Sequence, residues 1–89
     1  MRPGVEKSVI AKRLAQTRLA LGYKTQQTFS DEIGIRPHQY SVFEKGTRRI
    51  SLGVALLIWE KFGISLDWIY CGDAAGLPAS LSKKLKRTR

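Results

Sequence analysis

Cysteine and histidine are scarce in this sequence, and their scarcity argues against several classes of function. The single cysteine, Cys71, has no partner for an internal disulfide, and the single histidine, His38, has no Cys, His or Asp set around it at metal-ligand spacing. The sequence contains neither a phosphate-binding glycine loop nor a catalytic arrangement of serine, cysteine or carboxylate residues. We therefore expect no enzymatic activity, no metal and no cofactor, and we expect Cys71 to be a small buried thiol.

Long hydrophobic segments are also missing. The longest uninterrupted apolar run, Val54 to Trp59, is far shorter than the roughly 20 residues that span a bilayer. The sequence does not begin with the charged and then apolar segment of a secretory leader. These absences predict a protein of a reducing intracellular compartment with no membrane-spanning role.

Acidic residues are few, with seven Asp and Glu against sixteen Lys and Arg, which gives a formal net charge of +9. An excess of positive charge on a small domain favours polyanionic partners. Part of this excess lies in the last seven residues, which contain Lys83, Lys84, Lys86, Arg87 and Arg89. Such a basic tail is either a solvated end or an arm that binds phosphates, and the sequence leaves both interpretations open.

The chain is long enough for one compact domain, with 89 residues of which 43% are hydrophobic. Five of the eight glycines, at positions 22, 34, 46, 63 and 72, each follow a segment of helical periodicity, where glycine can take the left-handed conformation that ends a helix. This pattern predicts an all-α bundle of five helices over residues 6–72 and no strand. Residues 73–89 are expected to form a flexible basic extension.

Capping residues and apolar spacing place these helices along the chain. Thr25, Ser51 and Ser65 are expected to be N-caps, and Pro37 fits the first turn of the third helix. The side chains expected to face the core are Ile10, Leu14, Leu21, Phe29, Ile33, Tyr40, Phe43, Leu52, Ala55, Leu56, Trp59, Leu66, Trp68 and Ile69.

The segment from Thr25 to Gly46, TQQTFSDEIGIRPHQYSVFEKG, joins two short helices through a tight turn at Gly34. Its apolar residues, at 29, 33, 35, 40 and 43, are spaced to lock the two helices together. A short glycine turn lets the helices cross steeply, so that the outer face of the second can enter a major groove. Helical bundles that bind no nucleic acid contain similar turns, so the flanking residues decide the interpretation.

Those flanking residues resemble the phage-repressor and Cro-like helix-turn-helix family, the lambda-repressor-like or XRE-type family, from Ile10 to Gly72. The matching motifs are Arg18, Gly22 and Thr25-Gln26, then Ile33-Gly34-Ile35, then Glu44-Lys45-Gly46, and finally Ser65-Leu66-Asp67-Trp68-Ile69-Tyr70-Cys71-Gly72. The resemblance implies a sequence-specific transcriptional regulator, a repressor, that binds double-stranded DNA as a homodimer. It also implies a cytoplasmic protein of bacterial or phage origin.

The resemblance assigns roles to individual residues. Arg18 and Glu44 match the family's structural ion pair between the first helix and the end of the third. The base-reading positions fall on Arg36, Pro37, His38, Gln39 and Val42. The residues expected to contact DNA phosphates are Thr25, Gln26, Lys45, Thr47, Arg48 and Arg49.

Two of the base-reading positions depart from the family's pattern. Pro37 stands where many members have a hydrogen-bonding residue, and it offers only apolar contact, for example to a thymine methyl group. Arg36 replaces a small N-cap residue, which weakens the cap but adds a cation near the DNA backbone or a guanine. Direct reading then falls on Gln39, toward adenine, and on His38, toward guanine or phosphate.

A second class of function stays open: an antitoxin-like or phage adaptor module that holds another protein, such as a toxin or a phage protein. An exposed recognition helix beside basic flanks favours DNA binding, whereas a large apolar patch elsewhere favours the module. For the homodimer, the expected contacts lie on the fourth and fifth helices and the extension, through exposed Ile64, Leu66 or Tyr70.

Overall fold

The computed structural model describes residues 6–87, and within that range all regular secondary structure is helical, with no strand. The helices are α1 (Lys7–Ala20), α2 (Gln26–Ile33), α3 (Pro37–Glu44), α4 (Leu52–Phe62), α5 (Leu66–Cys71) and α6 (Ala79–Arg87), and a 3₁₀ turn, Ala74–Gly76, lies between α5 and α6. The predicted all-α class is confirmed. None of these helices is both long enough and apolar enough to cross a bilayer.

The predicted helix starts agree with the structure. The hydroxyl oxygens of Thr25, Ser51 and Ser65 each accept a hydrogen bond from the backbone N–H three residues later, at 3.0–3.3 Å. Pro37 occupies the first turn of α3, and the preceding Arg36 gives no side-chain cap. The start of α3 is therefore fixed by the backbone geometry of proline rather than by a capping hydroxyl.

The turn between α2 and α3 requires a glycine. Gly34 has φ of +85°, and its N–H donates to the carbonyl oxygens of Ser30 and Asp31 at 2.9 and 3.2 Å. A side chain at this φ would be strained, so Gly34 permits the sharp change of direction that separates the two helices. The other four predicted helix-ending glycines also have positive φ.

One hydrophobic core joins all six helices. Its buried members include Ile10 and Leu14 on α1, Phe29 on α2 and Tyr40 on α3. On α5, the indole N–H of Trp68 donates to the hydroxyl of Thr17 at 2.9 Å inside the core. This buried hydrogen bond satisfies two polar groups that would otherwise destabilise the contact between α1 and α5.

The C-terminal segment differs from the expected five-helix bundle with a flexible extension. Leu77, Leu81 and Leu85 recur every four residues and are buried, which seats α6 against α1 as a sixth helix. The carboxylate of Asp73 accepts the N–H of Ala75 at 2.9 Å and starts the 3₁₀ turn that leads into this helix. Residues 73–87 are therefore structured, and positions 88 and 89 lie outside the described residues.

Helix α4 turns a partly different face to the core from the one predicted. Ala55 is buried as predicted, together with Val54 and Ile58, whereas Leu52, Leu56 and Trp59, the other three residues expected to face inward, are exposed. The helix is apolar on every side from Leu52 to Trp59, so its sequence has no hydrophobic contrast from which the inner face can be predicted.

Two further expectations about single residues are wrong. Cys71, expected to be buried, is exposed on the last turn of α5. Ile64, named as an exposed dimer contact, is completely buried, and Leu66 and Tyr70 are half-buried. Ile64 therefore cannot contribute to an intermolecular surface.

Candidate nucleic-acid interface

Aromatic packing fixes α3 against α2 and so determines which side of α3 faces outward. The rings of Phe29 and Tyr40 meet edge to face at 5.2 Å, and Phe29 also stacks on Phe62 of α4 at 5.5 Å. Tyr23 adds edge contacts to Phe29 and Phe62 at 5.5 and 5.7 Å. Because these rings hold the inner side of α3, the opposite side, which begins at Arg36, is left on the surface.

The structure brings Arg18 and Glu44 together, as the resemblance implies. Arg18 donates from Nε to Oε2 of Glu44 at 2.8 Å and from Nη2 to Oε1 at 3.3 Å. The two side chains are only 10% and 3% exposed, and Arg18 Nη1 donates to the carbonyl oxygen of Tyr23 at 2.8 Å. This pair connects α1 to the end of α3 and fixes the orientation of α3 on the domain.

Glu44 has a further partner that the sequence did not indicate. The side-chain amide of Gln26 donates from Nε2 to Oε1 of Glu44 at 3.1 Å, so this predicted phosphate ligand is held toward α3. The hydroxyl of the adjacent Thr25 is likewise engaged, as it caps α2 by accepting the N–H of Thr28 at 3.1 Å. At the start of α2, the groups most suited to meet a phosphate are therefore the backbone N–H groups.

Tyr40 lies beneath this network and is completely buried. Its hydroxyl is beside Glu44 without a hydrogen bond of normal geometry among the described residues. Burial raises the pKa of Tyr40 far above its ordinary value, and the neighbouring Glu44 carboxylate raises the pKa further. Ionisation of this hydroxyl is therefore disfavoured while it stays buried.

The residues predicted to read bases lie on the exposed side of α3. Arg36, Pro37, His38 and Gln39 are exposed, and Val42 is half-buried where α3 meets the core. The exposed positions occupy the first half of the helix, the part of a recognition helix that contacts base edges in known helix-turn-helix complexes.

The predicted base-reading and phosphate-binding residues share one surface. A single groove is lined by His38, Gln39 and Val42 of α3 together with Arg48, Arg49 and Ser51 from the loop and the start of α4. Thr47 and Lys45, the other predicted phosphate ligands after α3, are exposed in the same loop. Polar side chains suited to base edges are therefore placed beside cations suited to phosphates.

This loop, from Gly46 to Ser51, is held at both ends. The N–H groups of Thr47 and Arg48 both donate to the carbonyl oxygen of Val42, at 3.2 and 3.3 Å. At the other end, the hydroxyl of Tyr70 on α5 donates to the carbonyl oxygen of Ile50 at 2.8 Å. Sequence spacing does not predict this last contact, because its partners are twenty residues apart and only the fold brings them together.

The start of α1 also reaches the loop, which the sequence did not indicate. Glu6, Lys7 and Ser8 form a second groove with residues 46–49. Gly46 lies against the start of α1, where a Cβ atom at its position would make an ordinary contact of 3.5 Å with the Cα atom of Ser8, so it is the φ of +79° that favours glycine here. Lys7 thereby adds a cation beside the loop.

Comparison with known families agrees with this geometry. A sequence model described as a helix-turn-helix domain matches residues 11–73, more than half of the chain. The protein therefore belongs to the helix-turn-helix domain family. Comparisons with curated proteins and with solved structures gave no significant match.

Proposed function

We propose that this protein is a sequence-specific regulator of transcription, acting as a repressor, that reads the major groove of double-stranded DNA with α3. The observation that carries the proposal is the shared surface on which exposed His38 and Gln39 lie beside Arg48 and Arg49. In this arrangement the loop cations position the domain on the phosphates, and α3 supplies the sequence-dependent contacts.

Each exposed residue at the start of α3 suits a different base contact. Gln39 can form two hydrogen bonds with adenine, and His38 can donate to a guanine acceptor or to a phosphate. Pro37 offers an apolar surface for a thymine methyl group, while Arg36 offers donors for guanine or for the backbone. The expected binding site therefore includes a base pair whose identity depends on Gln39.

One short recognition helix contacts too few base pairs for high specificity, so we propose that two copies bind two half-sites as a homodimer. Half-sites of helix-turn-helix dimers lie roughly 34 Å apart, one turn of DNA. The fold extends 29 Å along each of its two longer axes, which is of the same order as this separation. Two copies in contact would thus fit adjacent turns of one DNA face.

Selection of bound sequences from a random pool of double-stranded DNA tests this proposal. We expect the native chain to enrich a motif with two related half-sites, and Gln39→Ala to lose the preference at one position per half-site. Gln27→Ala, which changes an exposed glutamine of α2 outside the groove, is the matched control and should enrich the native motif. Failure of the native chain to enrich any sequence would contradict specific DNA binding.

A second candidate function, a module that holds a toxin or phage protein, is favoured by one observation. Leu52, Leu56 and Trp59 make α4 apolar on its exposed side, away from the inner face that packs on the core. Such a surface commonly marks a protein contact. If no DNA motif is enriched and a purified partner protein binds the native chain but not Trp59→Ala, this second function is preferred.

A further inference from the structure

The exposed side of α4 carries a continuous apolar surface, formed by Leu52, Leu56 and Trp59 and here named the α4 stripe. These residues follow the spacing i, i+4, i+7, which puts them on one side of a helix. They are 57%, 37% and 52% exposed. With the neighbouring Leu57, they make up four of the five large exposed hydrophobic residues in the described part of the chain, and the fifth is Leu19.

The composition of the α4 stripe indicates a protein contact rather than a nucleic-acid contact. The segment 52–59 contains no charged residue, in a chain that has sixteen Lys and Arg. Nucleic-acid surfaces are rich in positive charge, whereas the centre of a protein interface is depleted of charge and enriched in aromatic residues. A half-exposed tryptophan at the end of a row of exposed leucines fits the second description.

We propose that the α4 stripe is the homodimer contact, in which the α4 helices of two copies pack antiparallel about a two-fold axis that passes beside Leu56. This inference deepens the proposed function and rests on it, because reading two half-sites requires a second copy. The arrangement places Leu56 against its equivalent, and it places Leu52 of each copy against Trp59 of the other. A two-fold interface needs such self-complementarity, and the stripe supplies it because Leu56 lies near its middle.

Charge complementarity favours a second copy as the occupant of this surface. In the antiparallel arrangement, Glu60 at the C-terminal end of one α4 lies beside the N-terminal end of the other. That end begins after Ser51 and adjoins the loop that carries Arg48. A carboxylate is attracted both to the positive end of a helix dipole and to a nearby guanidinium group. The contact thus pairs opposite charges at both edges of the apolar stripe.

The same arrangement connects the dimer to the DNA surface. Ser51, the N-cap of α4, lines the groove with His38 and Gln39, so the dimer contact starts directly beside the base-reading residues. Two copies joined along α4 would hold their recognition helices on either side of one two-fold axis. Operators with two-fold symmetry match such an arrangement.

The size of the stripe indicates a weak dimer in the absence of DNA. Trp59 contributes roughly 120 Å² of exposed side chain, judged from its exposed fraction and the area of a buried aromatic residue. A standard stable interface buries about 800 Å² on each partner, which is more than the two leucines and one tryptophan of the stripe can provide, even with the neighbouring Leu57. We therefore expect concentration-dependent association that becomes much stronger when both copies occupy one DNA molecule.

Disulfide trapping without DNA tests the proposed geometry. In a Cys71→Ser background, Leu56→Cys should form a covalent dimer under a mild disulfide oxidant, because the two-fold axis brings the two positions together. Leu52→Cys should not, because the two equivalent positions would be about 12 Å apart along the helix axis. Leu19→Cys, an exposed leucine on α1, is the matched control. Trapping of Leu56→Cys no faster than Leu19→Cys would overturn the proposal.

Analytical ultracentrifugation of the full chain and DNA titration provide a second, independent test. Leu56→Asp should weaken self-association by at least about tenfold, while Leu19→Asp should leave self-association unchanged. Both variants should keep the native circular dichroism spectrum, which shows that they fold. On DNA, Leu56→Asp should lose affinity for the two-half-site motif but keep native affinity for a single half-site.

Two results together would refute the α4 contact while leaving DNA binding intact. The native chain would stay monomeric at every concentration, and Leu56→Asp and Leu19→Asp would bind the two-half-site motif equally well. Binding of a different protein to the stripe of a monomeric chain would also overturn the dimer. Absence of binding to either DNA would instead contradict the proposed function, and the trapping experiment would still decide the dimer geometry.

Discussion

Replacing Glu44 with alanine removes the acceptor on which donors from two helices converge. Arg18 loses bonds of 2.8 and 3.3 Å, and Gln26 loses one of 3.1 Å. The Arg18 side chain is only 10% exposed, so its charge stays buried with the carbonyl oxygen of Tyr23 as a remaining acceptor. Breaking a buried pair in this way costs on the order of 3–5 kcal/mol, a large part of the 5–15 kcal/mol that stabilises a typical domain.

The loss should appear as a large fall in thermal stability. For a domain of this size, each kcal/mol lowers the melting temperature by about 4–8 °C, so we expect a fall of at least about 12 °C for Glu44→Ala. Far-UV circular dichroism during heating measures this fall, and Gln39→Ala, at an exposed position of the same helix, is the control that should melt like the native chain.

A double substitution separates loss of the pair from loss of a buried side chain. Arg18→Met with Glu44→Leu replaces both charges by apolar groups of similar size, which is often neutral or stabilising for buried pairs. It should therefore melt well above Glu44→Ala. An unchanged melting temperature for Glu44→Ala, or a double variant that melts no higher, would refute the reasoning that the pair fixes the position of α3.

Four further predictions concern the loop, the core and the C-terminal helix. Arg48→Ala should reduce the slope of log affinity against log salt by about 0.9 in DNA titrations, whereas Lys61→Ala, at the far end of α4, should not change it. Tyr70→Phe removes the hydrogen bond to the loop, so it should weaken the affinity for the native DNA site in titrations. It should enrich the same motif as the native chain in the selection experiment. Burial raises the pKa of Tyr40, so the domain should lose stability as the pH rises above about 10, the value for an unfolded tyrosine, and Tyr40→Phe should reduce that loss in alkaline melting curves. Leu85→Ala should lower the free energy of unfolding by about 2–5 kcal/mol in urea titrations, and no change would mean that α6 adds nothing to the core.

The first three helices could be predicted from the sequence because their signals are local. Thr25 as a cap, Pro37 in a first turn and Gly34 in the left-handed conformation each act on a few neighbouring residues, and the sequence contains all the information needed. The four-residue spacing of Phe29 and Ile33 in α2 also separates an inner, apolar face of the helix from an outer, polar face.

The starts and ends of α4 and α5 were also predicted from their caps, but the inner face of α4 and the existence of α6 were not, for two different physical reasons. In α4 every residue from Leu52 to Trp59 is apolar or glycine, so the inner face depends on which neighbours the fold supplies. In α6 the three leucines with i, i+4 spacing begin before the helix, at Leu77, and stand among small and basic residues. Their burial depends on a surface of α1 that no local pattern describes.

The candidate site also combines features that local sequence predicts with features that depend on the fold. The exposure of His38 and Gln39 follows from the burial of Tyr40 and Phe43 on the same helix, so the sequence could indicate it. The contact between Gln26 and Glu44 depends on side chains eighteen residues apart, which only the folded chain brings within 3.1 Å. Membership of the helix-turn-helix family is established, while the closer likeness to phage repressors and Cro remains an interpretation of individual motifs.

The geometry of α3 separates the residues that hold it from the residues that would read DNA. Tyr40, Phe43 and Glu44 fix the helix to the domain and lie in its second half or on its inner side. Arg36 and Pro37 lie at its exposed start, and neither has a role in the core. Their departure from the family's pattern therefore leaves the fold unaffected. A change at either position is expected to alter the preferred DNA sequence more than the melting temperature, whereas a change at Glu44 is expected to do the reverse.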